Sequence, residues 1–268
     1  MELWNYGTLE LWNQEPRTKN QEPMTTPFNL TGKTILITGA SSGLGRQCAI
    51  TASHQGAAVI ITGRNKERLD ETFSRLIGTG HRMILADLTA EDDISMLVEQ
   101  LPVLNGVVYS TGISDLSPAR FIKAEDIKKT FEISFNASVL LTSQLLAKKK
   151  LEKNACSLVF ISTISTRYPF VGGAMYISAK AALESYARVL ALELAPRGIR
   201  SNSISPAFVR TPMLDDTAEK YSDEAVRKIE AQQLLGLGEP EDLANTVVFF
   251  LSDASRWITA SNLILGGG

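Results

Sequence analysis

The sequence predicts an α/β protein: a single domain built on one doubly wound parallel sheet of about seven strands, flanked by helices. Three observations carry that reading. From Lys33 onward, short runs rich in β-branched residues alternate with longer stretches of helical period. Several of the short runs are apolar on both faces, as parallel strands covered by helices on each side must be. The first run also passes directly into a glycine-rich turn that opens a helical segment.

The strand candidates, in order, are residues 34–38, 58–62, 82–86, 106–109, 157–161, 200–204 and 262–265. Between them the helical period marks 44–54, 66–76, 90–100, 124–150, 175–195 and 240–251. Residues 211–238 break the pattern and read as an irregular insertion, with no linker and no second domain. The domain so defined is 29–268. Residues 1–28 are polar, carry two prolines before Pro27, and repeat themselves: Glu2-Leu3-Trp4-Asn5 returns at Glu10 to Asn13, and Asn13 to Pro16 returns at Asn20 to Pro23. Such a stretch is expected to be a disordered leader or an N-terminal extension, a docking arm through Trp4 and Trp12 being the alternative.

Composition excludes several functions. A net charge of −2 provides no field for nucleic acid or an anionic membrane surface. No apolar run reaches membrane-spanning length, and no basic start followed by an apolar stretch marks a secretory signal, so a cytoplasmic location is expected. Cys48 and Cys156 sit in apolar segments and are expected to be buried thiols. The isolated His54 and His81 form no ligand cluster, so no metal is expected.

The chemistry starts after the first strand. Gly39-Ala40-Ser41-Ser42-Gly43-Leu44-Gly45 joins strand to helix, where free N–H groups and the positive end of the helix dipole favour a pyrophosphate. Gly39 permits the tight turn, Gly43 the close approach of the ligand and Gly45 the packing of helix on strand. The fold is therefore expected to be Rossmann-like. Further on, Tyr176 and Lys180 stand one turn apart on a helical face, an arrangement in which an ammonium lowers the pKa of a phenol. Tyr-x-x-x-Lys arises by chance on many helices, but here it follows a strand and lies at the expected distance from the glycine loop.

The glycine spacing after Thr38 resembles the fingerprint of the short-chain dehydrogenase/reductase family, and with the Tyr-Lys pair the resemblance covers about residues 30–268. The resemblance implies hydride transfer between a nicotinamide cofactor and a carbonyl or alcohol carbon. Tyr176 would exchange the proton and Lys180 would hold the nicotinamide ribose. Thr163 falls at the family's serine, with Ser162 and Ser165 beside it as alternatives if the loop shifts. Ser134 falls at the family's asparagine, and an ordinary helix serine is its plain alternative. Ser110 and Gly112 stand in the turn after the fourth strand, where the usual asparagines are missing, so the bonds clamping the central sheet must differ. Asp87 and Leu88 would border the adenine, and Pro206, Val209 and Thr211 would touch the nicotinamide half.

At the end of the second strand an acidic residue would bind ribose hydroxyls, but Gly63-Arg64 stands there. A glycine in place of the carboxylate, followed by a guanidinium, favours NADP over NAD, the alternative for Arg64 being a solvated loop arginine. Residues 213–237 would form a substrate lid or a surface excursion. Lys148, Lys149, Lys150, Lys153 and Arg197 either attract an acidic acyl carrier or simply end helices. The family pairs the helices at 124–150 and 175–195 across a dyad, so a homo-oligomer, a dimer or a tetramer, is expected. The expected activity is NADP(H)-dependent interconversion of a ketone and a secondary alcohol, with a 3-oxoacyl reductase as one candidate. An NADP(H)-binding sensor or scaffold is the rival, and an epimerase or dehydratase a third reading.

Overall fold

A computed structural model describes residues 26–214, 231 and 233–266. The leader up to residue 25 and most of the expected insertion and lid therefore lie outside the described residues. Seven strands, β1 (Thr34–Thr38), β2 (Ala58–Gly63), β3 (Arg82–Leu85), β4 (Gly106–Tyr109), β5 (Cys156–Ile161), β6 (Ile199–Pro206) and β7 (Asn262–Leu265), form one sheet in the order β3-β2-β1-β4-β5-β6-β7. Every adjacent pair is parallel. The helices are α1 (Gly43–His54), α2 (Lys66–Phe73), α3 (Glu91–Gln100), α4 (Ala124–Phe131), α5 (Ala137–Ala147), α6 (Ala174–Leu194) and α7 (Pro240–Leu251).

The continuous apolarity of the strands has the cause inferred from sequence. Ile35 and Ile37 point into a core closed by α1 and α7, while Leu36 between them points into a second core closed by α3, α5 and α6. Alternate residues of one strand thus serve opposite cores, and a polar residue on either face would be buried. Cys48 and Cys156 lie in these two cores as free thiols, and burial pushes both up to about 12. No described helix is long and apolar enough to cross a membrane.

Two helices depart from their expected lengths. The stretch expected as one helix over 124–150 is α4, then a π turn (Glu132–Asn136), then α5, and it ends at Ala147. The wider turn inserts a residue into the helical phase and turns Ser134 fully inward. The helix expected to reach residue 76 stops at Phe73, because Arg75 and Leu76 bond back only three residues before Gly78 and Gly80 reverse the chain. At the N-terminal boundary, Pro27 already accepts a hydrogen bond from Ala254 N, and Phe28 packs on Phe249 with ring centroids 6.2 Å apart.

The strand order reverses beside β1: β2 and β3 lie on one side, and β4 to β7 on the other. The loops leaving β1 and β4 therefore diverge and open a crevice at the carboxyl ends of the strands. Lys148 to Lys153 and Arg197 are at the opposite end, since they immediately precede the starts of β5 and β6. Lys148 is paired with Glu99 at 2.6 Å, and Lys150 Nζ caps the Leu101 carbonyl at 2.5 Å. The length of the sheet separates these cations from the crevice. Lys148 and Lys150 hold a helix end and a loop end.

Candidate active site

The crevice encloses about 1300 Å³. Every expected cofactor-contact residue lines it, as do Tyr176, Lys180 and Thr163; Ser134 does not. Its floor is the turn after β1. Gly39 has φ 65°, and a Cβ there would stand 2.8 Å from the Ser110 carbonyl oxygen. A Cβ on Gly45 would come within 2.4 Å of the Gly39 carbonyl oxygen. Both positions therefore demand glycine for space. Thr38 ties the two diverging strands together, for its Oγ1 donates to Val108 O (3.3 Å) and accepts from Ser110 N (3.1 Å). This is how the sheet is clamped without the family's asparagines.

The start of α1 is open to an anion. Ser42 at its N-cap makes no side-chain capping bond, and no acidic residue occupies the first turn. Arg46 braces the loop from behind, donating to the Ser41 carbonyl at 2.7 Å and to Glu71 at 2.9 Å. Where β2 ends, a Cβ on Gly63 would lie 3.7 Å from Ser41 Cβ, so the ribose position is walled by a small hydroxyl residue and no carboxylate. Arg64 and Arg68 both line this end, and Arg64 sits 3.6 Å from Asp87. Partial burial would raise the Asp87 carboxyl, but the Thr89 N–H and hydroxyl together with Arg64 hold it below the usual range. These features fit a dinucleotide with a phosphate on its adenine ribose: a glycine cradle, an uncapped helix start, and two guanidinium groups. Among the described residues, Thr111 Oγ1 is also buried in the crevice wall without a hydrogen-bond partner.

The chemical end is built by α6 and the loop after β5. Gly172 and Gly173 release the chain into α6, which carries Tyr176 in its first turn and Lys180 one turn deeper. Burial raises the Tyr176 phenol, and a hydrogen bond with Thr163 offsets part of that rise. Lys180, 5% exposed, donates to the Ile161 carbonyl at 2.8 Å, and burial draws it down to about 8. The expected lowering of the phenol by the lysine is thus not part of this arrangement, because the ammonium is turned to a carbonyl. Thr163 is the hydroxyl that meets Tyr176, whereas Ser162 Oγ points away to Glu184 at 2.6 Å. Ser134 Oγ lies 3.4 Å from Ile113 N, in the layer behind the crevice wall. A Cβ on Gly112 would lie 3.0 Å from Lys180 Nζ and 3.7 Å from Ser134 Oγ, so glycine leaves room for Lys180 to approach this turn.

Several residues of the site were not singled out from sequence. Arg46 and Arg68 are ordinary helix cations until α1 and α2 pack together. Glu184 had a legible signal: it continues the spacing of Tyr176 and Lys180 by one further turn, in a stretch too apolar to be a solvent face.

The family model described as enoyl-(acyl carrier protein) reductase matches residues 39–268. The 3-oxoacyl-(acyl-carrier-protein) reductase FabG of Rickettsia felis is 33% identical over 241 residues, covering 90% of this chain and 98% of that protein. Among solved structures, a short chain dehydrogenase/reductase family protein superposes with a TM-score of 0.79 at 31% identity, over 90% of this chain and 98% of that one. A candidate NAD(P)-dependent gluconate 5-dehydrogenase from Beutenbergia cavernae, with NADP bound at low occupancy, gives a TM-score of 0.80 at 28% identity, over 91% and 98%.

Proposed function

The chain belongs to the short-chain dehydrogenase/reductase family of oxidoreductases acting on CH–OH groups, and on that premise we propose that it interconverts a ketone and a secondary alcohol with NADP(H). The observation that carries this reading is the contact of Tyr176 with Thr163 on the crevice wall, one helical turn from buried Lys180. When bound, the nicotinamide supplies or takes up the hydride. Tyr176 gives its phenolic proton to the substrate oxygen as charge develops there, and its raised pKa keeps it protonated and ready for reduction. Thr163 Oγ1 hydrogen-bonds the same oxygen and orients the phenol. With the cofactor bound, Lys180 would hold the ribose hydroxyls. Ser134, behind Gly112, supports a proton-relay water less directly than the family's asparagine would.

NADP is favoured because Gly63 offers no carboxylate to bind or repel at the adenine ribose, while Arg64 and Arg68 offer charge to a phosphate. For the substrate, the outer crevice is walled by Leu116, Phe170, Val171, Phe208, Leu214 and Leu237. Such a wall suits an apolar chain, and Ser114, Arg210 and Gln233, which line the same crevice, offer polar partners to a thioester head group. A 3-oxoacyl thioester, free or carrier-bound, is therefore the substrate class proposed, in keeping with the Rickettsia relative. The test is NADPH oxidation with 3-oxoacyl thioesters and sugar ketones by the wild type and Tyr176→Phe. Thioester turnover that falls about 10²- to 10⁴-fold in the variant, with NADPH binding retained, is expected. Background rates in both proteins would leave a nucleotide-binding sensor as the better reading.

A further inference from the structure

Glu184 is 7% exposed, carries a carboxylate, and pairs with no cation in any ion pair among the described residues. Its Oε1 is instead met by three hydroxyls, from Ser162 at 2.6 Å, Thr166 at 2.8 Å and Ser205 at 2.9 Å. These donors come from the loop after β5 and from the end of strand β6. Ser162 and Thr166 bracket Thr163 on the loop after β5, and Ser205 directly precedes Pro206 at the end of β6. Ser205 Oγ also stands 2.9 Å from Asn262 Oδ1 on β7. Glu184 itself rides on α6, one turn beyond Lys180 and two beyond Tyr176. One buried carboxylate oxygen thus joins the helix bearing Tyr176 and Lys180 to the loop after β5 and to the end of β6.

We propose that Glu184 is a positioning residue, whose carboxylate sets Thr163 and the Pro206 loop in register with Tyr176 and Lys180. The physical case is that three hydroxyls free to rotate among staggered rotamers are locked by a common acceptor. Each hydroxyl has one proton and a second acceptor in reach (Lys180 O, Thr163 O and Asn262 Oδ1, at 3.4, 3.0 and 2.9 Å), and the glutamate oxygen is as near or nearer in every case. Displacements well under an ångström at Thr163 matter for proton transfer, so the lock acts on rate through its neighbours rather than by touching substrate.

This inference rests on the reductase reading, and its test separates the two. Five variants are compared: Glu184→Leu, Glu184→Gln, Ser162→Ala, Ser205→Ala and the double variant of the two serines. The readouts are kcat, KM and NADPH affinity by cofactor fluorescence, with circular dichroism confirming the fold. Glu184→Leu is expected to lose on the order of tenfold or more in kcat, and Glu184→Gln, which keeps an acceptor oxygen, to recover most of it. Ser162→Ala and Ser205→Ala should each lower kcat and each weaken NADPH binding several-fold. The double variant of the two serines should lose less than the sum of their effects, because both act through one carboxylate. Should Glu184→Leu fail to fold, that serine cycle decides alone. Additive serine effects, a glutamine variant as poor as leucine, or kinetics within twofold of wild type in a folded Glu184→Leu would each overturn the proposal. If the wild type turns over no carbonyl at all, the reductase reading fails; NADPH affinity that still responds sub-additively to the serine pair keeps the lock.

Discussion

Lys180 and Tyr176 give up solvent to work in the crevice, and the lysine shows what that exchange costs. Its fall from 10.5 to about 8 corresponds to roughly 3 kcal/mol against the charged form. Below about 8 the folded and unfolded states both carry the proton, so the penalty is complete. As pH rises from there towards 10.5 the folded state releases its proton first, and stability increases. Lys180→Met should therefore raise Tm at neutral pH, converge with wild type near pH 10.5, and abolish most turnover. If the lysine must be cationic for reduction, kcat/KM should be level below pH 8 and decline above it; a profile still level at pH 10 would remove that requirement. At the other end of the crevice, Arg64→Ala should narrow the preference for NADP over NAD by about 10- to 100-fold, the worth of a hydrogen bond to a charged group. Fluorescence titration measures both affinities, and an unchanged ratio would assign recognition of the phosphate elsewhere.

Among the elements, the β1–α1 unit and α6 were legible and the segment between Ala124 and Ala147 was not. The glycines at 39, 43 and 45 announce their purpose locally, because a strand, a tight turn and a helix start occupy one short stretch of chain. The π turn at Glu132–Asn136 has no such marker, since the periodicity of the apolar residues persists across it and only packing against the loop at Gly112 shows the inserted residue. The Thr38 clamp was hidden for a similar reason: its partners Val108 and Ser110 are distant in sequence. Replacing Thr38 by the isosteric valine leaves Ser110 N without that acceptor. A loss of about 1–3 kcal/mol in urea unfolding is expected, together with weaker NADPH binding from a loosened crevice floor. An effect within the scatter of repeated unfolding curves would show that the backbone alone holds β1 to β4.

For the molecule as a whole, the surface of α6 opposite the sheet bears Val189 and Leu192, exposed by 50% and 74%. The two sides of the sheet are already filled by the two cores, so nothing within the described chain covers these residues. A homo-oligomer through α5 and α6 remains our proposal, and it predicts that Leu192→Lys shifts the sedimentation coefficient to that of a smaller species. An identical sedimentation profile would move the interface off this helix. The same whole-molecule geometry places the basic cluster at Lys148 to Lys153 at the end of the sheet away from the crevice, since these residues precede the start of β5.

Sequence alone determined the class of fold, the order of its elements, the glycine turn after β1 and the placing of Tyr176 and Lys180 one turn apart on α6. All of these rest on residues close together in the chain, where spacing translates directly into a shared turn or face. Tertiary structure alone decided that Thr163 rather than Ser162 meets the phenol, that Lys180 turns to the Ile161 carbonyl, and that Glu184 gathers hydroxyls from the loop after β5 and the end of β6. Those choices depend on rotamers and on strands that become neighbours only when the sheet closes. A linear pattern does not encode such contacts, because their energy appears only once burial has removed water as the competing partner.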